Sequence, residues 1–557
     1  MMRLLPLAAC LLLAATACNR QPPPANDGAA KTPATAPAAD SAEGRIEGDV
    51  RTLAADDMQG REAGTPGYDK AAEYVAKRMR EIGLQPAGEN GSYFQQVPLL
   101  KAVRQQEGAR LAVVHPQRTV ELRFKEQFVP SPNYDAPSSE VSASAVFVGF
   151  GVHAPELKHD DFAGLDLRGK VAVLFNGAPP RFDHDRRAFY SSGREKLRAL
   201  VERGAVGAVF VNTTQDEARS PWQRSADAWQ KPGMRLRDAD GKGVDTFPQL
   251  KVVASVSAAA ADLLFEGSER FTAQLFQQAE DGSLRGFALP VTLALAARTQ
   301  VEPVESRNVV GRIAGSDAAL AAEHIAYSAH LDHVGVGTPV KGDKIYNGAI
   351  DNALGVAIML EAARELAAKK PAPKRSLVFV AVTAEEKGLL GAEWFATHPT
   401  VDGPLVANIN LDMPVLLAPS TDVVPIGVEH STLKGALDAA AKDVGVKLSP
   451  DPFPEEVIFV RSDQYPFIRA GVPAVYLING VISADGKRDP KLAFGKFLGE
   501  HYHQPSDQAD LPIAYEDAAR LARLNAGIGR IVGNDAKRPA WNSGDFFGDR
   551  FGKQPSP

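Results

Sequence analysis

The chain has 557 residues, 44% of them apolar and 23% charged, with a net charge of −6. That length exceeds what one hydrophobic core supports, so two or more domains are expected, of ordinary globular composition. The charge is spread along the chain without a long basic block, which excludes an electrostatic nucleic-acid binder as the main reading.

Both cysteines, Cys10 and Cys18, lie in the first 18 residues. Arg3, the apolar run LAACLLLAATA (7–17) and Cys18 form a signal-peptide pattern over 1–17. The run is shorter than the roughly 20 residues a membrane-spanning helix needs. ATAC (15–18) resembles the lipobox of bacterial lipoproteins, which makes Cys18 the expected lipidation site. Plain secretion after cleavage near Ala17 is the alternative. LAAC (7–10) fits the box by residue type but leaves almost no apolar run before it. The implied location is the bacterial cell envelope, on the periplasmic side of the outer membrane, otherwise the periplasm or the exterior. Membrane contact is then expected only through the N-terminal lipid. Residues 18–41 are Pro/Ala-rich and read as a flexible tether.

The first folded part is expected over 42–128. IEGDVRTLAADDM (46–58) has helical spacing, and GREAGTPG before a long amphipathic helix reads as a structured turn, with an active-site loop as the alternative. In that helix Ala72, Val75, Met79 and Ile82 recur at helical intervals and Gly83 stands where a C-cap belongs. From 129 to 299 the texture changes to short β-branched runs, 143–151, 169–177, 204–213 and 250–258, with one helix at 194–204. No convergent set of His and Glu occurs there, so the segment reads as a non-catalytic inserted module. Residues 300–535 alternate strands (325–330, 376–382, 407–413, 472–478) with helices (352–368, 432–444, 513–531). That alternation predicts an α/β domain whose mixed, largely parallel sheet lies between helix layers. Residues 536–557 form a tail without a functional reading.

Ligands of such sheets bind at the carboxyl ends of the strands. IAYSAH ends in His330, followed by Asp332. Asp351 precedes a helix, Glu385 and Glu386 follow SLVFVAVTA, Asp412 closes ANINLD, and His503 lies in HYHQPSD. With no cysteine in the mature body, His and carboxylates must supply any metal site, and this set suits a two-zinc hydrolase. Strand geometry puts Asp332 on the same side as His330, where its carboxylate can sit behind the imidazole and fix its tautomer. Asp351 alone would read equally well as a helix N-cap. Adjacent carboxylates in an extended segment face different ways, so one of Glu385 and Glu386 can bind metal while the other addresses a water.

These motifs, HLD (330–332), IDN (350–352), EE (385–386), NLD (410–412) and YH (502–503), resemble the dizinc aminopeptidase family over about 45–130 and 300–530. The resemblance implies two Zn²⁺ ions, His330 and Asp412 on one, Glu386 and His503 on the other, and Asp351 bridging them. It also implies Glu385 as general base, Tyr502 as oxyanion stabiliser and Arg461 of RSDQYPF as a substrate contact, with Asp332 supporting catalysis. Gln464 departs from the pattern, since many relatives have His there; that position is not a ligand. The 129–299 module, with DDFAGLDLRGKVAVL (160–174), resembles the protease-associated domain inserted in such enzymes. The expected activity is removal of N-terminal residues from peptides. A carboxypeptidase or glutaminyl cyclase of the same superfamily, and a catalytically inactive binding protein on the same scaffold, are the rival readings.

Overall fold

The computed structural model describes residues 38–454 and 457–552. Cys10, Cys18 and the signal-peptide reading lie outside the described residues. Among those described, no helix is long and apolar enough to cross a membrane.

Helix α1 (Ala42–Leu53) starts at Ser41, whose side chain accepts from the Gly44 N–H. Helix α2 (Pro66–Ile82) begins with Pro after the N-cap Thr65 and stops at Gly83, whose φ of 92° is left-handed. Its Ala72, Val75 and Met79 are buried as the spacing predicts, while Ile82 is only half-buried. Strand β1 (Phe94–Val114) leads into a second region with β2 (Ser138–Phe147), β3 (Val171–Phe175), β4 (Gly207–Val211) and β5 (Val252–Val256). These strands fall within the expected β-branched runs or overlap them. The β2–β3, β3–β4 and β4–β5 pairs are parallel, with helix Gly193–Glu202 between β3 and β4 in sequence.

Strand β6 (Phe287–Ile313) joins the two regions. It pairs antiparallel with β2 over Phe287–Arg298 and with β1 over Thr292–Val309, and its end pairs antiparallel with the strand Ser376–Val382. One sheet therefore runs through both regions, and position 299 falls inside a strand rather than in a linker. Beyond it come β7 (His324–His330), helix α3 (Leu354–Ala368), β8 (Ser376–Val382), β9 (Leu405–Asn410), β10 (Asp422–Ile426), helix α4 (Leu433–Val444), β11 (Ala474–Asn479) and helix α5 (Tyr515–Asn534). Spatially the order is β10, β11, β9, β7, β8, β6, with β11–β9, β9–β7 and β7–β8 parallel and the outer pairs antiparallel. This is the mixed, largely parallel sheet between helices that the alternation predicts. All seven residues of β8 are buried, as a strand covered on both faces requires. α3 and α5 pack together on one face, which explains why α3 is apolar nearly all round.

The tail folds back onto this body. Phe547, in helix Phe546–Phe551, is fully buried, and the Trp541 indole N–H donates to the Gly471 carbonyl at 2.9 Å.

Candidate metal centre

Because β7, β8 and β9 are parallel, their carboxyl ends lie side by side, with His330 opposite Val382 and Ser328 opposite Asn410. His330 is the last residue of β7; Glu385 and Glu386 lie just beyond β8, and Asp412 just beyond β9. Asp351 precedes α3 in a short irregular turn with a cis Asp351–Asn352 peptide. That turn starts at Gly348, with φ 62°, where a Cβ would lie 2.5 Å from the His333 ring. The backbone departs from ordinary conformations beside the ligand-type residues: Ala384, Met413 and His503 have φ of 55°, 38° and 55°. Such positions cost about 1–3 kcal/mol each and cluster where function demands a direction for a side chain.

The side chains converge in two groups that share Asp351. His330 Nε2 lies 3.0 Å from Asp412 Oδ1 and 3.3 Å from Asp351 Oδ1. On the other side, His503 Nε2 lies 3.2 Å from Asp351 Oδ2 and 3.0 Å from Glu386 Oε2. A further residue joins this second group: the fully buried His333, whose Nδ1 is 2.8 Å from Glu386 Oε1 and 3.7 Å from Asp351 Oδ2. Neither ring nitrogen of His333 makes a hydrogen bond, and the same holds for His503 Nε2 and Glu386 Oε1. Lone pairs this close without hydrogen-bond geometry are aimed at a common point. Ligands about 2.0–2.1 Å from a tetrahedral zinc sit about 3.3 Å from one another, which these separations match. Zinc is the metal that this nitrogen and oxygen donor set fits.

The ligand-type residues are themselves held. Asp507 accepts from the Ile350 and Asp351 N–H groups at 2.9 and 3.0 Å, and burial pushes its carboxyl up to about 7. The Tyr476 hydroxyl donates to the Asp412 carbonyl at 2.7 Å. Asn352 donates to the Leu411 carbonyl at 3.0 Å, tying the Asp351 turn to the β9 end. The Arg61 guanidinium, fully buried, donates to the carbonyls of Leu331, Asn347, Gly348 and Leu53. The turn GREAG is therefore a clamp behind both ligand loops.

One expected contact takes another form. The His330 tautomer is set by Nδ1 donating to the Asp332 main-chain carbonyl at 3.1 Å. The Asp332 carboxylate instead accepts from the N–H groups of Glu385 and Glu386 at 3.0 and 3.3 Å. The reason is that those two N–H groups leave the β8 ladder and need a buried acceptor. Burial pushes the Asp332 carboxyl up to about 6 against the pull of His330.

Glu385 and Glu386 diverge. Glu385 lines a cavity of about 120 Å³ together with His330, Asp351 and Asp412, whereas Glu386 turns to the two histidines. Burial, with the charges of Asp412 and Glu386, holds Glu385 well above the usual carboxylate range despite His330. Arg461 and Tyr502 line the same cavity. Burial and the nearby carboxylates push the Tyr502 phenol well above 10, so its hydroxyl keeps its proton. Its ring stacks on His503 at 3.9 Å. The remaining wall is mostly apolar, formed by Met413, Ile458, Ile478, Phe494 and Leu498, with Ser462 and Tyr476 beside them. Gln464 is a structural tie: its amide donates to the Ile458 and Phe459 carbonyls and its oxygen accepts from Asn410.

Residues 308–528 match the model of peptidase family M28. The probable lipoprotein aminopeptidase LpqL of Mycobacterium tuberculosis is 24% identical over 490 residues, covering 85% of this chain and 80% of its own. A glutamate carboxypeptidase 2 homolog of Caenorhabditis elegans is 25% identical over 406 residues, 61% of this chain and 48% of that protein. An aminopeptidase from Aneurinibacillus sp. strain AM-1 superposes with a TM-score of 0.51 at 20% identity, over 88% of this chain and 93% of that one. That likeness shows the shared fold. The sequence singles out neither His333 nor Asp507, the one signal being a histidine three residues after His330, while Arg61 lies in the GREAGTPG stretch that reads as a turn or an active-site loop.

Proposed function

We propose that this M28 peptidase is a two-zinc aminopeptidase. The observation that carries the reading is the Asp351 carboxylate, whose two oxygens face two separate donor groups beside a small cavity that Asp351 and Glu385 both line. His330 and Asp412 would hold one zinc, Glu386 and His503 the other with His333 as an added donor, and Asp351 would bridge them. Bound zinc would supply Lewis acidity toward the peptide carbonyl and toward water.

The chain's own groups do the rest. Glu385 takes the proton from the attacking water and passes it to the leaving amine, a task suited to a carboxyl that burial holds above the usual carboxylate range. Tyr502, protonated, donates a hydrogen bond to the oxyanion of the tetrahedral intermediate. Arg461 contacts the substrate, and the apolar wall around Met413, Ile458 and Phe494 receives an apolar N-terminal side chain. Asp332 supports catalysis by holding the backbone of Glu385 and Glu386.

Residues 42–128 and 300–535 make up the peptidase part in this reading, and 129–299 is a protease-associated module that influences substrate access. The likeness to a mycobacterial lipoprotein agrees with export and anchoring through Cys18. The carboxypeptidase direction is the second reading, favoured by the worm relative and by Arg461 in the cavity.

A panel of aminoacyl chromogenic substrates with free and acetylated amines, run before and after metal removal, tests the proposal. It should show metal-dependent cleavage of the free-amine forms. Cleavage confined to peptides with a free C-terminal carboxylate and a blocked amine would overturn it in favour of the carboxypeptidase.

A further inference from the structure

The catalytic cavity opens into a second, larger cleft. Arg461, Leu498 and Tyr502 line both, so the two spaces meet across these residues. The larger cleft has a volume of about 780 Å³, and the 129–299 segment supplies most of its lining. Three arginines of that segment, Arg187, Arg219 and Arg224, line it. Arg219 and Arg224 are exposed and Arg187 is half-buried. None of the three guanidinium groups has a hydrogen-bond or ion-pair partner among the described residues, whereas the neighbouring Arg186 is paired with Asp183 at 2.9 Å.

Two carboxylates share the lining. Asp216 caps its own helix, accepting from the Thr213 N–H at 2.8 Å and hydroxyl at 3.0 Å; Glu280 is exposed. These three guanidinium groups stand against two carboxylates, one of them already engaged. Arginines left without partners along a concave surface continuous with a hydrolytic site are poised for an anionic ligand. Their planar forks match carboxylates in particular.

We propose that this cleft binds the leaving part of the peptide substrate. It selects short peptides whose C-terminal carboxylate, or acidic side chains beyond the cleaved bond, meet Arg187, Arg219 and Arg224. The proposal rests on the aminopeptidase reading. With the N-terminal residue held in the 120 Å³ cavity, the remaining chain has to pass Arg461, Leu498 and Tyr502, and that path leads into the cleft.

The test uses the full chain loaded with zinc. Tetrapeptides with one apolar N-terminal residue carry Glu, Gln or Lys at the third position, with a free or amidated C-terminus. Wild type is compared with Arg219→Glu, Arg224→Glu and Arg187→Gln, none of which touches the metal-binding residues. Exposed ion pairs are worth up to about 1 kcal/mol, so each arginine should shift kcat/KM by roughly two- to fivefold. Wild type should prefer the acidic, free-carboxylate peptides, mainly through KM and less so at high salt. The charge-reversal variants should lose or invert that preference while cleaving an aminoacyl chromogenic substrate, which has no leaving peptide, at the wild-type rate. Release of N-terminal residues with no acid preference, or a preference unchanged in all three variants, overturns the proposal alone. Failure to release the N-terminal residue from any peptide overturns it together with the reading on which it rests.

Discussion

Arg61 offers the sharpest test of how the centre is held. Its Nε donates to the Leu331 carbonyl at 2.8 Å, one Nη to Leu53 and Asn347 at 2.6 Å each, and the other to Gly348 at 2.9 Å. Leu331 separates His330 from Asp332, and Asn347 and Gly348 open the turn that carries Asp351. Burial lowers the guanidinium to about 10 despite the nearby carboxylates, so it remains cationic at neutral pH. Arg61→Met keeps the apolar stem but strips the donors from four buried carbonyls. Unsatisfied buried groups cost about 1–3 kcal/mol each, and after partial relaxation a total near the low end, about 4 kcal/mol, is expected. That is a large share of the roughly 5–15 kcal/mol by which proteins are stable. Arg61→Lys restores the charge but brings three donors on one nitrogen, not a fork reaching four carbonyls, so it should recover only part. Outer groups that orient metal ligands typically account for about 10–100-fold in affinity, and that loss should appear in zinc competition against a chelator. A urea midpoint and a zinc affinity both within error of wild type in Arg61→Met would refute the clamp.

Glu385→Gln should retain zinc while kcat falls by about 10²–10⁴, whereas Glu386→Gln should lose metal; bound zinc and kcat measured together decide, and near-normal turnover in Glu385→Gln refutes the general-base role. His333→Ala should weaken the Glu386 and His503 side of the centre at least tenfold, read as biphasic zinc release to a chelator; a release profile identical to wild type removes His333 from the donor set. His430, outside the centre, holds the tail: its Nδ1 lies 2.6 Å from Asp545, with Asp185 and Glu429 at 3.7 and 3.9 Å and Phe459 and Phe547 against its ring. Burial alone would lower its pKa, but the Asp545 hydrogen bond and the surrounding carboxylates raise it above 6.5. A raised histidine contributes stability fully below its unfolded pKa and loses it as pH rises through the folded one. Amide exchange in helix Phe546–Phe551 should therefore quicken from pH 6 to pH 9 beyond the intrinsic chemical rate, and His430→Gln should abolish that excess.

The strand ends were legible because each joins a run of apolar residues to an abrupt polar one. SLVFVAV before Glu385 and Glu386 and ANIN before Asp412 have no other reason to place carboxylates there. His333 was not legible because the alternation used for His330 and Asp332 ends when the chain leaves β7 at His330. What brings His333 round is the loop that Arg61 clamps from 270 residues away. Asp507 lies in a polar stretch, HQPSD, and its role depends on two N–H groups in the Asp351 turn that no periodicity reveals. The edge placed at 299 reflected a change in residue type, but β6 runs on through it, since antiparallel pairing with β1 continues on both sides.

The divergence of Glu385 and Glu386 links backbone to chemistry most directly. The two residues are adjacent, follow the same strand and donate their N–H groups to the same Asp332 carboxylate. Yet Glu386 is held at about 2: burial works against its charge, but His503 and the contact with His333 outweigh it. Glu385, facing the cavity, is pushed well above the usual range by burial and by Asp412 and Glu386, with His330 opposing. A metal ligand has to be anionic, while a general base works best when it titrates near the operating pH. The left-handed turn at Ala384, which would cost an alanine about 1–2 kcal/mol, is where the two directions are set. One strained residue after a buried strand thus gives two identical side chains opposite electrostatic surroundings, and those surroundings, not the residue type, separate their proposed roles.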